Sequence, residues 1–280
     1  MELFDGKKVA NKILKETAER IKKTRLKPGL AVILVGHNAA SEIYVRLKKE
    51  AAKKVGINFF EFKFNENVQE EEIIEKINEL NAREDINGII VQLPLPAVLN
   101  QDKIMEVVSP RKDVDGFHPQ NRRALAKGEA VLAPVLPTAI LAAAKEADKR
   151  LVGKKVLALV NSEVLGQALK MFFENEEADF AYQVRNVCLI AGAEKAINQA
   201  DILISVCGCP NLIKGELIKQ GAILIDAGIT RYTDGRIIGD VDMASVRNKA
   251  SFLTPTPGGI GPLTVALLLR NVYLAVNRRD

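Results

Sequence analysis

The chain has 280 residues, of which 48% are hydrophobic, so it is long enough for one large α/β domain or two smaller domains with their own cores. Its 40 Lys and Arg residues against 35 Asp and Glu residues give a formal charge of +5, which favours anionic ligands but is mild for a nucleic-acid binder. Aromatic residues make up 5% and Trp is absent, so few surfaces can stack single-stranded bases. We therefore expect small polyanions as partners and no nucleic acid.

The three cysteines, Cys188, Cys207 and Cys209, are an odd number, and the last two lack the second ligand pair that a zinc site needs. We therefore expect a reduced, cytoplasmic chain without a metal site. The N-terminal stretch MELFDGKKVANK has no apolar signal core, and an Arg and an Asn interrupt the apolar run at 263–269. The sequence therefore predicts neither export nor a membrane span.

The first half of the chain alternates short β-rich runs with helical ones. After an amphipathic first helix, GLAVILVG is followed by a helix from Ser41 to Gly56, NFFEFKF by the acidic EEEIIEKINEL, and GIIVQL by a helix near 102–108. This alternation is typical of crossover units on a parallel sheet.

The second half repeats the alternation in a Rossmann-like order. A helix that starts after Pro137 precedes the strands KKVLALV, DFAYQV, DILISV and AILIDAG, with the helices VLGQALKMFF and AEKAINQ among them. Prolines mark the boundary between the halves, and we expect the last helix to return to the first lobe. The predicted fold is α/β with two lobes, which are residues 1–136 joined by 262–280, and a Rossmann-like domain at 137–261.

The stretch SEIYVRLKKEAAKKVGI indicates an amphipathic helix closed by Gly56. At about 100° per residue, Ser41, Tyr44 and Lys48 fall within roughly 60° of one another, against the edge of its apolar stripe. Desolvation there would lower the pKa of the Lys48 amine and let it exchange protons near neutral pH, as a general acid or base must. The alternative is that Lys48 lays its stem along the helix edge and keeps its amine in water.

A polar side chain follows the buried run GIIV. Gln92 stands at the carboxyl end of this predicted strand, where open parallel sheets place ligand contacts. Pro94 and Pro96 then hold the following loop in an extended form. The alternative is a glutamine that only caps loop amides.

Two further stretches combine polar residues with glycine. KDVDGFHP places Asp113, Asp115 and His118 in a turn that lacks the other ligands of a calcium loop, so we expect hydrogen-bonding carboxylates and a structural histidine. TPTPGGIGPLT, residues 254–264, predicts a rigid turn where backbone approaches a ligand closely, with a plain hinge as the alternative.

Together these stretches resemble one enzyme family. The pattern YVxxKxxAxxxxGI, followed by GIIVQLPLP, KDVDGFHPQN, GDVD and TPTPGGIGPLTVALLLRN, occurs in that order over essentially the whole chain. In this combination the chain resembles methylenetetrahydrofolate dehydrogenase/methenyltetrahydrofolate cyclohydrolase. The resemblance implies a folate domain in the first lobe and a dinucleotide-binding domain in the second.

The resemblance implies a role for each residue on the folate side. Lys48 matches the catalytic lysine, Gln92 the glutamine that hydrogen-bonds and tunes it, and Tyr44 the tyrosine that packs over the folate. Asp115 matches the carboxylate that binds the pterin ring. The residues implied to line the same pocket are Ser41, Pro257, Gly258 and Gly259.

The cofactor side departs from the family pattern GRSxxVGxP, since this chain has VNSEVLGQA. Ser162 and Gly166 remain, whereas Val160 replaces a glycine and Asn161 replaces an arginine that would pair with a ribose 2′-phosphate. Arg185 follows DFAYQV and is placed to meet that phosphate instead, with a solvated surface arginine as the alternative. The expected cofactor is NADP, with NAD as the alternative, and the expected contacts are Asn161, Ser162, Gly166, Arg185 and Ile229.

The leading hypothesis is a bifunctional enzyme that oxidises 5,10-methylenetetrahydrofolate to methenyltetrahydrofolate and hydrolyses this product to 10-formyltetrahydrofolate. Because the nucleotide loop is altered, the alternative is a cyclohydrolase with weakened or lost dehydrogenase activity. A non-enzymatic folate- or nucleotide-binding regulator is a third hypothesis, and a nucleic-acid binder is a fourth. The resemblance also implies a polyglutamylated folate substrate and a homodimer formed through the second lobe.

Overall fold

The structure is a computed structural model that describes residues 1–129, 132–185, 187–232 and 235–276. The strands in these ranges are β1 (Glu2–Leu3), β2 (Gly29–Val35), β3 (Asn58–Phe64), β4 (Gly88–Val91), β5 (Lys155–Val160), β6 (Asp179–Val184), β7 (Ile202–Val206), β8 (Ile223–Asp226), β9 (Thr230–Arg231), β10 (Ile237–Ile238) and β11 (Phe252–Leu253). The helices are α1 (Gly6–Thr24), α2 (Ala39–Val55), α3 (Glu70–Ala82), α4 (Gln101–Val107), α5 (Pro119–Ala126), α6 (Val135–Ala147), α7 (Glu163–Glu174), α8 (Glu194–Gln199), α9 (Met243–Val246) and α10 (Ile260–Val276). No helix in the described ranges combines the length and the hydropathy needed to cross a bilayer.

The chain divides into two compact units. The six-strand unit comprises Met1–Val9 and Leu136–Thr264, and the three-strand unit comprises Ala10–Val135 and Val265–Asp280. Each unit contains a parallel sheet whose strands alternate with helices along the chain. This arrangement confirms the predicted α/β class. Most of α10 belongs to the three-strand unit, as the sequence predicts for the last helix.

The N-terminal residues belong to the six-strand unit, whereas the sequence analysis assigned them to the first lobe. Glu2 and Leu3 pair in parallel with Phe252 and Leu253, and the Phe4 N–H donates to the Leu253 carbonyl at 2.9 Å. A two-residue strand has no periodic pattern, so its pairing partner leaves no signal in the sequence.

The three-strand unit is organised by β2, which lies between β3 and β4 and pairs in parallel with both. Every residue of β2 is buried, the pattern expected of a parallel strand covered on both faces. The following helix α2 begins where the Asn38 side chain accepts the Ser41 N–H at 3.0 Å. It ends at Gly56, which has a left-handed φ of 85°, as glycine readily does at a helix end.

The six-strand unit has a parallel sheet of order β1-β11-β8-β7-β5-β6. The chain leaves β5 for β6 on one side and then crosses to β7 on the other side of β5. This reversal is the topological switch point of a Rossmann-like sheet, and ligands bind outside the carboxyl ends of the strands there. The strands β9 and β10 form a separate antiparallel pair.

Close packing of α7 on β6 requires a glycine at position 166. A Cβ added to Gly166 would lie 2.3 Å from Cδ2 and 2.9 Å from Cγ of the Tyr182 ring. The Tyr182 hydroxyl also donates a short hydrogen bond to the Glu163 carboxylate at the start of α7. The ring therefore cannot move away from a side chain at 166 without losing this contact.

We expect Gly166→Ala to destabilise the chain by roughly 1–3 kcal/mol, because overpacking outweighs the better helix propensity of alanine. In a Tyr182→Ala background the obstacle is gone, so the same substitution should become neutral or stabilise by up to about 1 kcal/mol. Urea unfolding of the four proteins measures both values. Equal destabilisation in the two backgrounds would contradict the packing explanation.

Candidate functional site

The Lys48 amine and the Gln92 side chain form a hydrogen-bonded pair in the three-strand unit. Lys48 lies on α2, and Gln92 directly follows β4, where its N–H donates to the Ile33 carbonyl at 2.8 Å. The Lys48 Nζ donates to Gln92 Oε1 at 2.9 Å. The amine is therefore held by protein, and it does not extend into solvent from the helix edge.

The carbonyl of Leu93 fixes the orientation of the Gln92 amide. Gln92 Nε2 donates to this carbonyl at 2.8 Å, and the buried Ser41 hydroxyl donates to the same oxygen at 3.2 Å. Because the amide nitrogen is committed to Leu93, the amide oxygen is the atom presented to Lys48. A glutamine oxygen accepts a hydrogen bond from either the charged or the neutral amine, so Gln92 holds Lys48 without fixing its charge.

Two ionisable groups of this site have shifted pKa values. Lys48 is half-buried as a residue, but desolvation of its amine lowers the Lys48 pKa below the usual 10.5, and the nearby Asp115 charge opposes this only in part. Desolvation raises the pKa of the Asp115 carboxyl to about 6, with Lys48 acting to lower it and Asp113 acting to raise it. Burial therefore shifts both groups towards their uncharged forms, by lowering the Lys48 pKa and raising the Asp115 pKa.

Asp113 organises the turn that carries Asp115. Its Oδ1 accepts the Gly116 N–H at 3.1 Å, and its Oδ2 accepts the His118 N–H at 2.8 Å and the Asn121 side-chain N–H at 2.9 Å. His118 caps α5 through its ring nitrogen. Asp113 and His118 are thus structural, whereas the hydrogen bonds of the described residues give the Asp115 carboxylate no donor.

The other residues predicted for the folate side are divided between the two units. Tyr44 is half-buried on α2, on the same face as Ser41 and Lys48. The turn at 257–259 belongs to the six-strand unit, where the Gly259 N–H donates to the Pro255 carbonyl at 2.7 Å. The Gly259 backbone lies so close to α1 that a Cβ on Gly6 would be 1.8 Å from its carbonyl oxygen.

The altered nucleotide loop follows β5 in the six-strand unit. Val160 is fully buried and pairs with Val184 and Val206 on either side, so its side chain is part of the core of the sheet. Asn161 is exposed. The Ser162 hydroxyl caps α7 by accepting the Leu165 N–H at 3.4 Å.

The Arg185 guanidinium is held in place at the end of β6. Its Nη1 donates to the Ala191 carbonyl at 3.1 Å and its Nη2 donates to the Gln183 side chain. The Nε–H is buried and has no acceptor among the described residues. The Arg185 side chain is therefore fixed by hydrogen bonds to its own unit and is not a freely solvated surface arginine.

Two buried carboxylates, which the sequence analysis did not single out, shape the loops at the carboxyl edge of this sheet. Asp240 accepts the Ser205 hydroxyl and the Cys207 N–H, both at 2.7 Å, and the Cys209 N–H at 2.6 Å. Asp226 accepts the N–H groups of Gly228, Asp240 and Val241 at 3.0–3.1 Å, and burial raises its pKa to about 7. Two signals in the sequence could have identified these carboxylates. Asp226 is a polar residue that ends a buried strand, and Asp240 is part of the motif GDVD.

The expectation that every cysteine is reduced is wrong for two of the three. Cys188, after β6, forms a disulfide with Cys209, after β7, across a sequence separation of 21 residues. The two strands flank β5 in one parallel sheet, so the loops that follow them meet at the same edge. Cys207 keeps its thiol, whose pKa is raised by burial.

Two family models match most of the chain. The model described as "Tetrahydrofolate dehydrogenase/cyclohydrolase, catalytic domain" matches residues 4–115. The model described as "Tetrahydrofolate dehydrogenase/cyclohydrolase, NAD(P)-binding domain" matches residues 134–280.

Similar proteins are found both among curated sequences and among solved structures. The "Bifunctional protein FolD" of Nautilia profundicola is 41% identical over 98% of this chain and 97% of its own length. The crystal structure of the bifunctional FolD methylenetetrahydrofolate dehydrogenase/cyclohydrolase of Campylobacter jejuni has a TM-score of 0.92, with 37% identity over 100% of both chains. The FolD of Trypanosoma brucei, complexed with NADP cofactor and inhibitor, has a TM-score of 0.91, with 31% identity over 99% of this chain and 97% of its own. This chain belongs to the tetrahydrofolate dehydrogenase/cyclohydrolase family.

Proposed function

We propose that this protein is a bifunctional enzyme of folate one-carbon metabolism. It oxidises 5,10-methylenetetrahydrofolate to methenyltetrahydrofolate with a nicotinamide cofactor and hydrolyses the product to 10-formyltetrahydrofolate. The observation that carries the proposal is the desolvated Lys48 amine, held 2.9 Å from Gln92 Oε1 and close enough to Asp115 for their charges to interact. The bifunctional relatives, similar over nearly the full chain, support both activities.

Hydrolysis is the reaction that these side chains serve most directly. Water attacks the carbon of the methenyl cation and loses one proton, and the pterin nitrogen that leaves that carbon gains one. The remaining hydroxyl proton is released to solvent as the formyl carbonyl forms. Because its pKa is lowered, the Lys48 Nζ has a neutral form that takes the proton from water. The charged form that results delivers a proton to the pterin nitrogen. Gln92 orients the amine during both transfers because its oxygen accepts a hydrogen bond from either form.

Asp115 is proposed to bind the pterin ring. Its carboxylate is mostly ionised at pH 7 and accepts no hydrogen bond from the described residues, so its oxygens can accept N–H groups of the substrate. Tyr44 is proposed to pack over the folate. The residues at 257–259 are also proposed to contact the substrate, and the family resemblance is the only support for this role. The Ser41 hydroxyl is already committed to the Leu93 carbonyl, which supports a role in shaping the loop.

The residues of the six-strand unit fit a phosphorylated dinucleotide. Ser162 and Asn161 stand at the start of α7, where a helix N-terminus favours phosphate, and Ile229 offers an exposed apolar surface. Arg185 holds a guanidinium cation at the end of β6 through hydrogen bonds to the Ala191 carbonyl and the Gln183 side chain, which suits the extra phosphate of NADP. Gly166 contributes through packing against Tyr182. When bound, the cofactor supplies the hydride acceptor for the oxidation.

The alternative, a cyclohydrolase with a weakened dehydrogenase, rests on the altered loop after β5. Val160 and Asn161 are its altered residues: the Val160 side chain is buried in the sheet and does not stand in the loop itself, whereas Asn161 is exposed. This placement supports a retained cofactor site, with NADP as the cofactor and NAD as the alternative.

The assembly and the location of the enzyme are also proposals. β6 is an edge strand that exposes Val184, and Val187 and Leu189 after it are exposed as well, which favours a homodimer formed through the six-strand unit. Light scattering in solution, which gives the mass of the assembly, tests this. We further propose that the enzyme uses polyglutamylated folate, which the net charge of +5 would attract. We also propose that it is cytoplasmic, although the Cys188–Cys209 disulfide removes the reduced cysteines as support for this location.

We expect Lys48→Met to lower cyclohydrolase turnover by about 10²–10⁴-fold, the usual contribution of a general acid and base. Lys49→Met is the matched control, because Lys49 is the adjacent lysine and its exposed side chain forms an ion pair with Glu61 at 3.0 Å. Absorbance of the methenyl compound follows its hydrolysis. Wild-type turnover in the Lys48 variant would remove Lys48 from the mechanism.

We expect Arg185→Gln to weaken NADP binding by about tenfold or more while leaving NAD binding nearly unchanged, because only NADP carries the 2′-phosphate. Arg247→Gln, an exposed charge loss in the same unit, is the control. Calorimetric titration with both dinucleotides measures these affinities. Equal weakening of NAD and NADP would contradict the assignment, and a wild-type chain that binds neither would favour the cyclohydrolase alternative.

A further inference from the structure

A buried asparagine of α10 links the two segments that flank Asp115. Asn271 is 2% exposed, and its side-chain nitrogen donates to the Val114 carbonyl at 2.9 Å and to the Ala133 carbonyl at 3.0 Å. Both amide protons are therefore used. The hydrogen bonds of the described residues give neither carbonyl another donor.

The segment at 133–135 is in direct contact with the turn that carries Asp115. The Val135 N–H donates to the Asp115 carbonyl at 3.1 Å. Gly116 has a φ of +82°, and a Cβ at this position would lie 2.8 Å from the Pro134 Cα. A displacement of this segment would therefore move the Asp115 backbone with it.

We propose that Asn271 is a positioning residue for the folate reaction, because it ties Val114 to Ala133 and thereby holds the Asp115 carboxylate beside Lys48. This inference rests on the proposed function, in which Asp115 binds the pterin ring. Asp113 fixes the turn from within through Gly116 and His118. Asn271 fixes it from outside, from a helix more than 140 residues further along the chain.

The chemistry of the two carbonyls explains why an asparagine is needed. One planar amide nitrogen presents two N–H groups about 120° apart, so a single side chain can satisfy two oxygens on different segments. A leucine has a similar volume but no donor, and it would leave the buried Val114 carbonyl and the half-buried Ala133 carbonyl unsatisfied. The segments would then separate to reach water, and Asp115 would become more solvated.

The test compares Asn271→Leu with Val272→Ala, a neighbouring fully buried residue of α10 whose truncation weakens packing without touching these hydrogen bonds. For wild-type protein, kcat/KM of methenyl hydrolysis should fall as the pH drops, because Lys48 loses its neutral form and Asp115, whose pKa is about 6, becomes protonated. In Asn271→Leu we expect this acid limb to move to lower pH, since a solvated carboxylate has a lower pKa. We also expect KM for the folate to rise about tenfold to a hundredfold, while NADP affinity changes less than about twofold.

Val272→Ala should keep the wild-type acid limb and KM even if its Tm falls. Asn271→Ser, which keeps one donor, should give intermediate values and covers the case in which the leucine variant does not fold. A wild-type acid limb and KM in the folded Asn271 variants would overturn the proposal and leave Asn271 a purely structural residue. Asp115→Asn tests the role of Asp115 independently of Asn271, because a folate KM that this variant leaves at the wild-type value refutes that role.

Discussion

The amine of Lys48 lies in a poorly hydrated place and is held there by a neutral partner. Desolvation lowers its pKa, and Gln92 orients it without contributing a charge that would keep it protonated. A carboxylate in place of Gln92 would stabilise the ammonium form, and open solvent would do the same. The proposed proton transfers depend on this combination of desolvation and neutral hydrogen bonding.

The surrounding structure fixes the positions of Gln92 and of the turn that carries Asp115. The parallel pairing of β4 with β2 sets the position of Gln92, and the Leu93 carbonyl sets the direction of its amide. The Asp115 turn is braced by Asp113 inside and by Asn271 outside. Because the carboxylate acts to raise the Lys48 pKa, its distance from the amine helps to decide how much neutral amine is present. The hydrogen bonds that brace the Asp115 turn thus influence the acid–base chemistry.

Much of the fold follows from local patterns, while the site depends on contacts between distant residues. Alternating strands and helices and the Gly56 cap are visible in the sequence because each reflects periodicity or a single conformational demand. The residues Lys48 and Gln92 could each be singled out, but their contact spans 44 positions and only the fold brings them together. Asn271 appeared merely as an interruption of an apolar run. The disulfide was missed because strand order, and not cysteine spacing, brings Cys188 to its partner.

The most direct test of the central claim is the pKa of Lys48 itself, measured by a pH titration of ¹³C-labelled lysine side chains with Lys48→Met to assign the signal. The Lys48 amine should titrate below the usual 10.5 in the wild-type protein. It should titrate at higher pH in Gln92→Glu, because the added carboxylate stabilises the charged amine. An amine that titrates at its usual value in both proteins would contradict the account.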